Sequence, residues 1–190
     1  MEMRSPAVVS IPRRALLLAL LVSIFALAAQ TPPPAAQVLE EAKAKAAAGQ
    51  KNIFLIFRAS WCGWCKKLDT FIETPENKAI IDRYFVVAHL TIQEEADKAA
   101  LNHPGGEEVL ARIGGKNSGL PYFAFLDARG ALIVNSTLPP EGKRGGSDIG
   151  YPVQPDEIDW FMAMLRKAVP ALKVDEARVL KDWLIGHAKS

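Results

Sequence analysis

Cys62 and Cys65 are the two cysteines of the 190-residue chain, and the stretch that holds them constrains the fold more than any other. Asn52 to Leu68 reads NIFLIFRASWCGWCKKL. Ile53 to Phe57 is an unbroken apolar run, as suits a strand covered on both faces, and the expected strand spans Asn52 to Arg58. Ala59-Ser60-Trp61 then turns the chain into a basic, helix-favouring segment, Cys62 to Phe71. A thiol at the head of a helix sits where unpaired N–H groups and the helix dipole stabilise a thiolate. The second thiol lies three residues on, one helical turn away, and can close a disulfide onto the first. Taken alone, such a pair is redox-active or metal-binding. Two cysteines are too few for a disulfide scaffold, and a zinc site needs about four ligands. His89, His103 and His187 are scattered along the chain, so no metal site is expected. A purely structural disulfide closing so small a loop would restrain the unfolded chain little, which favours redox chemistry.

The flanking pattern supplies the rest of a domain. Ala36 to Ala48 favours a helix, with Val38, Leu39 and Ala42 as its apolar stripe and Gly49 to stop it. Thr74-Pro75-Glu76 restarts a helix with Ala79, Ile80 and Tyr84 inward, and Phe85 to Ile92 is the next strand. Gln93 to Gly119 is polar and broken by Gly and Pro, with one short helix over Glu107 to Ile113. Tyr122 to Leu126, a turn at Asp127 to Gly130, and Ala131 to Thr137 make a hairpin. Leu138 to Gln154 has no periodicity and reads as a long surface loop, in which Lys143-Arg144-Gly145-Gly146 is solvated. Pro155 opens a helix with Ile158, Phe161, Met162 and Leu165 at helical spacing, and Pro170 stops it. Asp175 to His187 is a last helix with Val179, Leu180, Trp183 and Leu184 inward. Trp160 and Trp183 lie on apolar stripes and read as packing residues. This order implies an α/β architecture, a small mixed sheet flanked by helices.

Residues 1–28 read as a signal peptide: a basic pair at Arg13-Arg14, an apolar run from Ala15 to Ala28, and a small-x-small site at Ala26-Leu27-Ala28. The run is shorter than the roughly 20 residues of a membrane-spanning helix, so contact with a membrane is expected only if the segment stays uncleaved. Residues 29–35 form a Pro-rich linker. Of the 23 basic residues, Arg4, Arg13 and Arg14 lie in this leader, against Glu2 among the 21 acidic ones. The remainder balances, which argues against nucleic acid as a partner. Export places the chain where a disulfide can persist or be serviced.

Trp61-Cys62-Gly63-Trp64-Cys65-Lys66 after an apolar strand, with Gly119-Leu120-Pro121 before the hairpin, resembles the thioredoxin superfamily. The run from Ala59 to Leu68 looks most like exported thioredoxin-like proteins and the thiol-reductase domains of bacterial periplasmic electron-transfer systems. The resemblance covers about residues 36–170 and leaves 171–190 as a C-terminal helical extension. It implies a thioredoxin-like fold, with Cys62 as nucleophile and Cys65 as resolving thiol. Pro121 would be cis and face the disulfide, with the Leu120 backbone exposed to pair with an extended client. Trp61 would shape the rim. Gly63 and Trp64, between the cysteines, would meet the client, Trp64 from an exposed position. Lys66 and Lys67 are either solvated helix residues or a means of lowering the Cys62 pKa.

Two departures stand out. Many thioredoxins carry a buried acid six residues before the first cysteine, and here that residue is Ile56. Many also carry a lysine on the neighbouring strand, where this chain has His89, a candidate for proton transfer or a plain strand residue. The expected function is extracytoplasmic thiol–disulfide exchange with client proteins and a redox partner, without a bound cofactor, and with reduction slightly favoured over oxidation. The rival expectations are a non-catalytic client- or metal-binding module and a membrane-tethered maturation factor.

Overall fold

A computed structural model describes residues 31–141 and 144–188. The expected signal peptide, the first two linker residues and Lys143 lie outside them. Among the described residues, no helix is long and apolar enough to cross a membrane.

The apolar run forms β1 (Asn52–Arg58), and its side chains from Ile53 to Phe57 are buried without exception. Helices α2 (Gly63–Glu73) and α3 (Pro75–Tyr84) carry the chain over to β2 (Phe85–Thr91), which pairs in parallel with β1. On the other side of β1 runs β3 (Tyr122–Leu126), antiparallel, followed by β4 (Leu132–Asn135). The strand order is β2-β1-β3-β4, so β1 is interior. The sheet is mixed, as the sequence implies.

Alternation along the strands sorts the core into two layers. Phe54, Ile56, Phe85, Phe123 and Phe125 face the layer of α2, α3, α5 (Pro155–Ala168) and α6 (Val174–His187). Phe54 sits 4.8 Å from Phe125 and 5.7 Å from Phe123, ring to ring, and Phe161 of α5 closes on Phe123 at 5.7 Å. Ile53, Leu55, Phe57, Tyr122 and Ala124 face α1 (Ala35–Gly49) and α4 (Gly106–Arg112). Helix α1 turns Ala35, Ala42 and Ala46 inward, and small side chains let it lie close on the sheet. It runs one residue further at each end than expected, because Gln50 rather than Gly49 takes the left-handed cap position, at φ 52°. The polar stretch after β2 holds a 3₁₀ turn, Ala96–Leu101, besides α4. His103 ties it to the sheet: its Nδ1 accepts from the Thr91 N–H at 3.0 Å, and burial pushes its pKa down.

Three expected placements are corrected. In α3 the inward positions are Asn77, Ile80 and Ile81, and Ala79 faces out. Asn77 is tolerated inside because its Nδ2 donates to the Phe71 carbonyl at 2.9 Å. In α6 the buried residues are Ala177, Leu180 and Leu184, while Val179 lies outside. A stripe at spacings of three and four leaves residue 179 on the flank of the helix. The segment 138–154 is not simply a surface loop. Thr137 and Asp148 form an antiparallel bridge, the Ile149 N–H donates to the Ser136 carbonyl at 3.0 Å, and Ile149 and Tyr151 enter the core. Arg144 pairs with Asp156 and Glu157, each at 2.8 Å, so it is a strut rather than a solvated charge. These contacts join residues distant in sequence and leave no periodic trace.

Asp148 anchors that segment. Its carboxylate accepts from Ser136 Oγ at 2.5 Å, and burial pushes its pKa up to about 6. Helix α6 is anchored by Glu176, which accepts from the Tyr84 hydroxyl at 2.6 Å and pairs with Arg83. It therefore belongs to the common core, and Leu184→Ala is expected to cost about 2–5 kcal/mol in urea denaturation, against a negligible loss for a loosely appended helix. Asp148 makes a pH-dependent contribution. Its folded pKa lies above the ordinary carboxylate value, so its stabilisation is present below about pH 4 and is lost as pH rises through about 6. The stability of the native chain relative to Asp148→Asn should fall by on the order of 2–3 kcal/mol between pH 4 and 7, and a flat difference would contradict the burial of a titrating carboxyl.

Candidate active site

The site is assembled where β1 ends. Arg58 closes the strand, Ala59 to Trp61 turn the chain, and Cys62 becomes the N-cap of α2. Cys62 and Cys65 are joined by a disulfide, with their Cα atoms 5.3 Å apart. Cys62 Sγ also accepts from the Cys65 N–H at 3.1 Å, so the sulfur caps an otherwise unpaired helix donor. The helix begins at Gly63, one residue after the expected start, because Cys62 serves as this cap. Both cysteines are shielded, at 2% and 1% exposure, and pack with Ala59 and Leu120.

The turn is braced from behind. Ser60 donates to Glu94 through its N–H at 2.5 Å and its hydroxyl at 2.7 Å. The Trp61 indole N–H donates to the Gln93 carbonyl at 2.7 Å, and Glu94 is itself held by Asn102. Trp61 is thus fixed yet 49% exposed. Trp64 is 50% exposed and stacks on Tyr151, with centroids 6.0 Å apart and planes 19° apart. Lys67 Nζ lies 4.8 Å from the Trp64 ring on a cation–π contact, so Lys67 is engaged with the rim. A Cβ on Gly63 would meet no atom within 4 Å, which leaves open space beside the disulfide.

The Leu120–Pro121 peptide bond is cis, the form that the resemblance implies. Leu120 reaches the cysteine cluster, and β3 begins immediately after Pro121. Between Trp64 and Leu120 on one side and residues 149–157 on the other runs an open cleft of about 350 Å³. Its far wall is braced: Glu157 accepts from the N–H groups of Val153 and Gln154 at 2.8 Å each and pairs with Arg144. The Arg144 hydrogen bond to Asp156 holds that carboxyl below its ordinary range.

On the sheet side of α2, Ile56 is fully packed in the core, and no acid stands at that position. His89 lies opposite Ile56 in the β1–β2 register, and its Nε2 is 3.3 Å from Asp69 Oδ1. Asp69 Oδ2 also meets Arg58 at 2.8 Å. His103 and His187 are elsewhere, the latter stacked on Trp183. Among the described residues, no group of His, Cys, Asp and Glu is arranged to hold a metal ion. Sequence reasoning missed Asp69, Glu94, Asp148 and Tyr151. Asp69 had a readable signal in its helical spacing of four from Cys65, whereas Tyr151 sits in an aperiodic stretch and had none.

No curated protein sequence matches the chain. Among solved structures it is similar to a disulphide isomerase from Xylella fastidiosa Temecula1, at 18% identity and a TM-score of 0.47, over 79% of this chain and 88% of that one. It is also similar to a DsbH oxidoreductase, at 20% identity and a TM-score of 0.42, over 75% of this chain and 88% of that one. A third is the C-terminal domain of DsbD from Neisseria meningitidis in the oxidised form, at 18% identity and a TM-score of 0.39, over 55% and 84%. Residues 35–128 match the thioredoxin-like family, from the first residue of α1 through both cysteines to just past the end of β3. With this match, the mixed sheet and the Cys62–Cys65 disulfide at the head of α2, the chain belongs to the thioredoxin superfamily and is a thioredoxin-like disulfide oxidoreductase.

Proposed function

We propose that this protein works outside the cytoplasm, exchanging the Cys62–Cys65 couple with client proteins and chiefly reducing their disulfides. The observation that carries the reading is the oxidised pair at the N-cap of α2, set between two exposed tryptophans and the Leu120–Pro121 segment. In the reduced protein, Cys62 attacks a client disulfide as thiolate, one client sulfur departs, and a mixed disulfide forms. Cys65 then attacks Cys62 Sγ, releases the second client sulfur as a thiol, and restores the Cys62–Cys65 bond. A dithiol redox partner returns the two electrons, so no bound cofactor is needed. Trp61 and Trp64 give the client a rim, Gly63 leaves room for its sulfur, and Leu120 with Pro121 holds the adjoining segment.

The donor aimed at Cys62 Sγ is the Cys65 N–H, and the intervening Gly63-Trp64 brings no charge. The lack of a charged residue in that dipeptide supports a reducing role, since strong oxidants owe their potential to a stabilised reduced form. Export is supported by the basic, apolar and small-residue order of residues 1–28. The proposed organisation is signal peptide 1–28, linker 29–35, thioredoxin-like domain 36–170 and helical extension 171–190.

Two measurements test this. Cys65→Ser should accumulate mixed disulfides through Cys62 when offered proteins with accessible disulfides. A variant that traps no client while the protein binds stoichiometric metal would replace exchange with a binding module. Sequencing of the mature N-terminus should find a start near Ala29, and an intact Met1 would instead indicate a tethered factor.

A further inference from the structure

Cys65 must lose a proton before it can attack, and Ile56 leaves β1 without an acid to receive it. We propose that Asp69 is the acceptor, an assignment that rests on the exchange chemistry above. Asp69 follows Cys65 by four residues on α2, so the two side chains are neighbours on one face, with Cβ atoms about 5–6 Å apart. Cys65, Leu68 and Ile72 show that this face is turned to the core, and the Asp69 side chain is only 25% exposed.

Its carboxylate is approached from both neighbouring strands. Arg58, the last residue of β1, lies 2.8 Å from Oδ2. His89 of β2 lies 3.3 Å from Oδ1, and its Nε2 is shielded from solvent and makes no hydrogen bond. Arg58 directly precedes Ala59, which packs against both cysteines, and His89 is in register with Ile56. The trio therefore brackets the position where the strand offers only a hydrocarbon side chain. Of the other charged groups nearby, Lys66 is one turn back on α2 and exposed, and Glu94 is occupied by Ser60. Asp69 is thus the carboxylate that shares Cys65's helix face and is linked to both strands.

The client is bound to Cys62 through an S–S bond. The Cys65 thiol gives its proton to the Asp69 carboxylate, and the thiolate attacks Cys62 Sγ. The Cys62–Cys65 bond forms and the Cys62–client bond breaks. The client sulfur leaves with the electron pair and takes a proton from solvent, so the client is reduced and the cysteine pair oxidised. Arg58 and His89 act through Asp69 as positioning residues, holding its carboxylate against the strand ends.

The test separates the two chemical steps by stopped-flow with a fluorescently quenched peptide disulfide. Attack by Cys62 is read in a Cys65→Ser background, and resolution in protein that retains Cys65. Asp69→Asn should slow resolution about tenfold or more at pH 7 and leave attack unchanged. The loss should shrink as pH rises and solvent deprotonates Cys65, and Asp69→Glu should restore part of the rate. An unchanged resolution rate in Asp69→Asn would overturn the assignment. Equal slowing of both steps would also overturn it, as a sign of a structural role. A pH profile that moves with His89→Ala but not with Asp69→Asn would hand the proton to His89 instead. Absence of exchange by the unsubstituted protein would overturn the functional reading, and this assignment with it.

Discussion

The structure depends on the burial of β1 on both faces. Ile53, Leu55 and Phe57 enter the layer under α1 and α4, while Phe54 and Ile56 enter the layer under α2, α3, α5 and α6. Each such side chain contributes about 1.5–3 kcal/mol when fully withdrawn from water. A strand held this firmly fixes where its last residue ends, and the turn that follows fixes Cys62 at the first free N–H groups of α2. The redox pair is thus placed by the best-packed element of the fold, while the surfaces proposed to meet a client hang on less regular contacts.

Those contacts form two supports. Behind the disulfide, Glu94 and the Gln93 carbonyl hold Ser60 and Trp61. In front, Asp148, Arg144 and Glu157 hold the segment that brings Tyr151 against Trp64. Both supports use charged or polar side chains in partly dry surroundings, where a satisfied hydrogen bond fixes geometry and an orphaned one is costly. The result is a shielded disulfide flanked by two exposed indoles in fixed positions. The proposed exchange with an extended client would then need no large rearrangement of the backbone.

Much of this was legible before the fold was known. The period-two and unbroken apolar runs mark all four strands along the chain, because burial on one face or two writes itself directly into hydrophobic pattern. The Trp-Cys-Gly-Trp-Cys run and Leu120-Pro121 mark the candidate site. What stayed hidden has a common physical character. Tyr151, Asp148 and Arg144 act through contacts between distant or aperiodic segments, and no local pattern encodes those. Val179 and Ala79 were misplaced because apolar identity does not settle which flank of a helix is covered. Asn77 went inside since a carbonyl of the previous helix was available to it. The absence of an acid at residue 56 was plain from the sequence. The carboxylate one turn beyond Cys65 is distinguished only in the fold, where Arg58 and His89 converge on it.

The central claim is that Cys62 and Cys65 form a reversible couple poised to reduce clients. Its equilibrium potential, measured against a glutathione or thioredoxin standard, tests this most directly. The account predicts a value near about −270 mV, in the range of a dithiol reductant. A value near about −120 mV would contradict it and mark the protein as an oxidant.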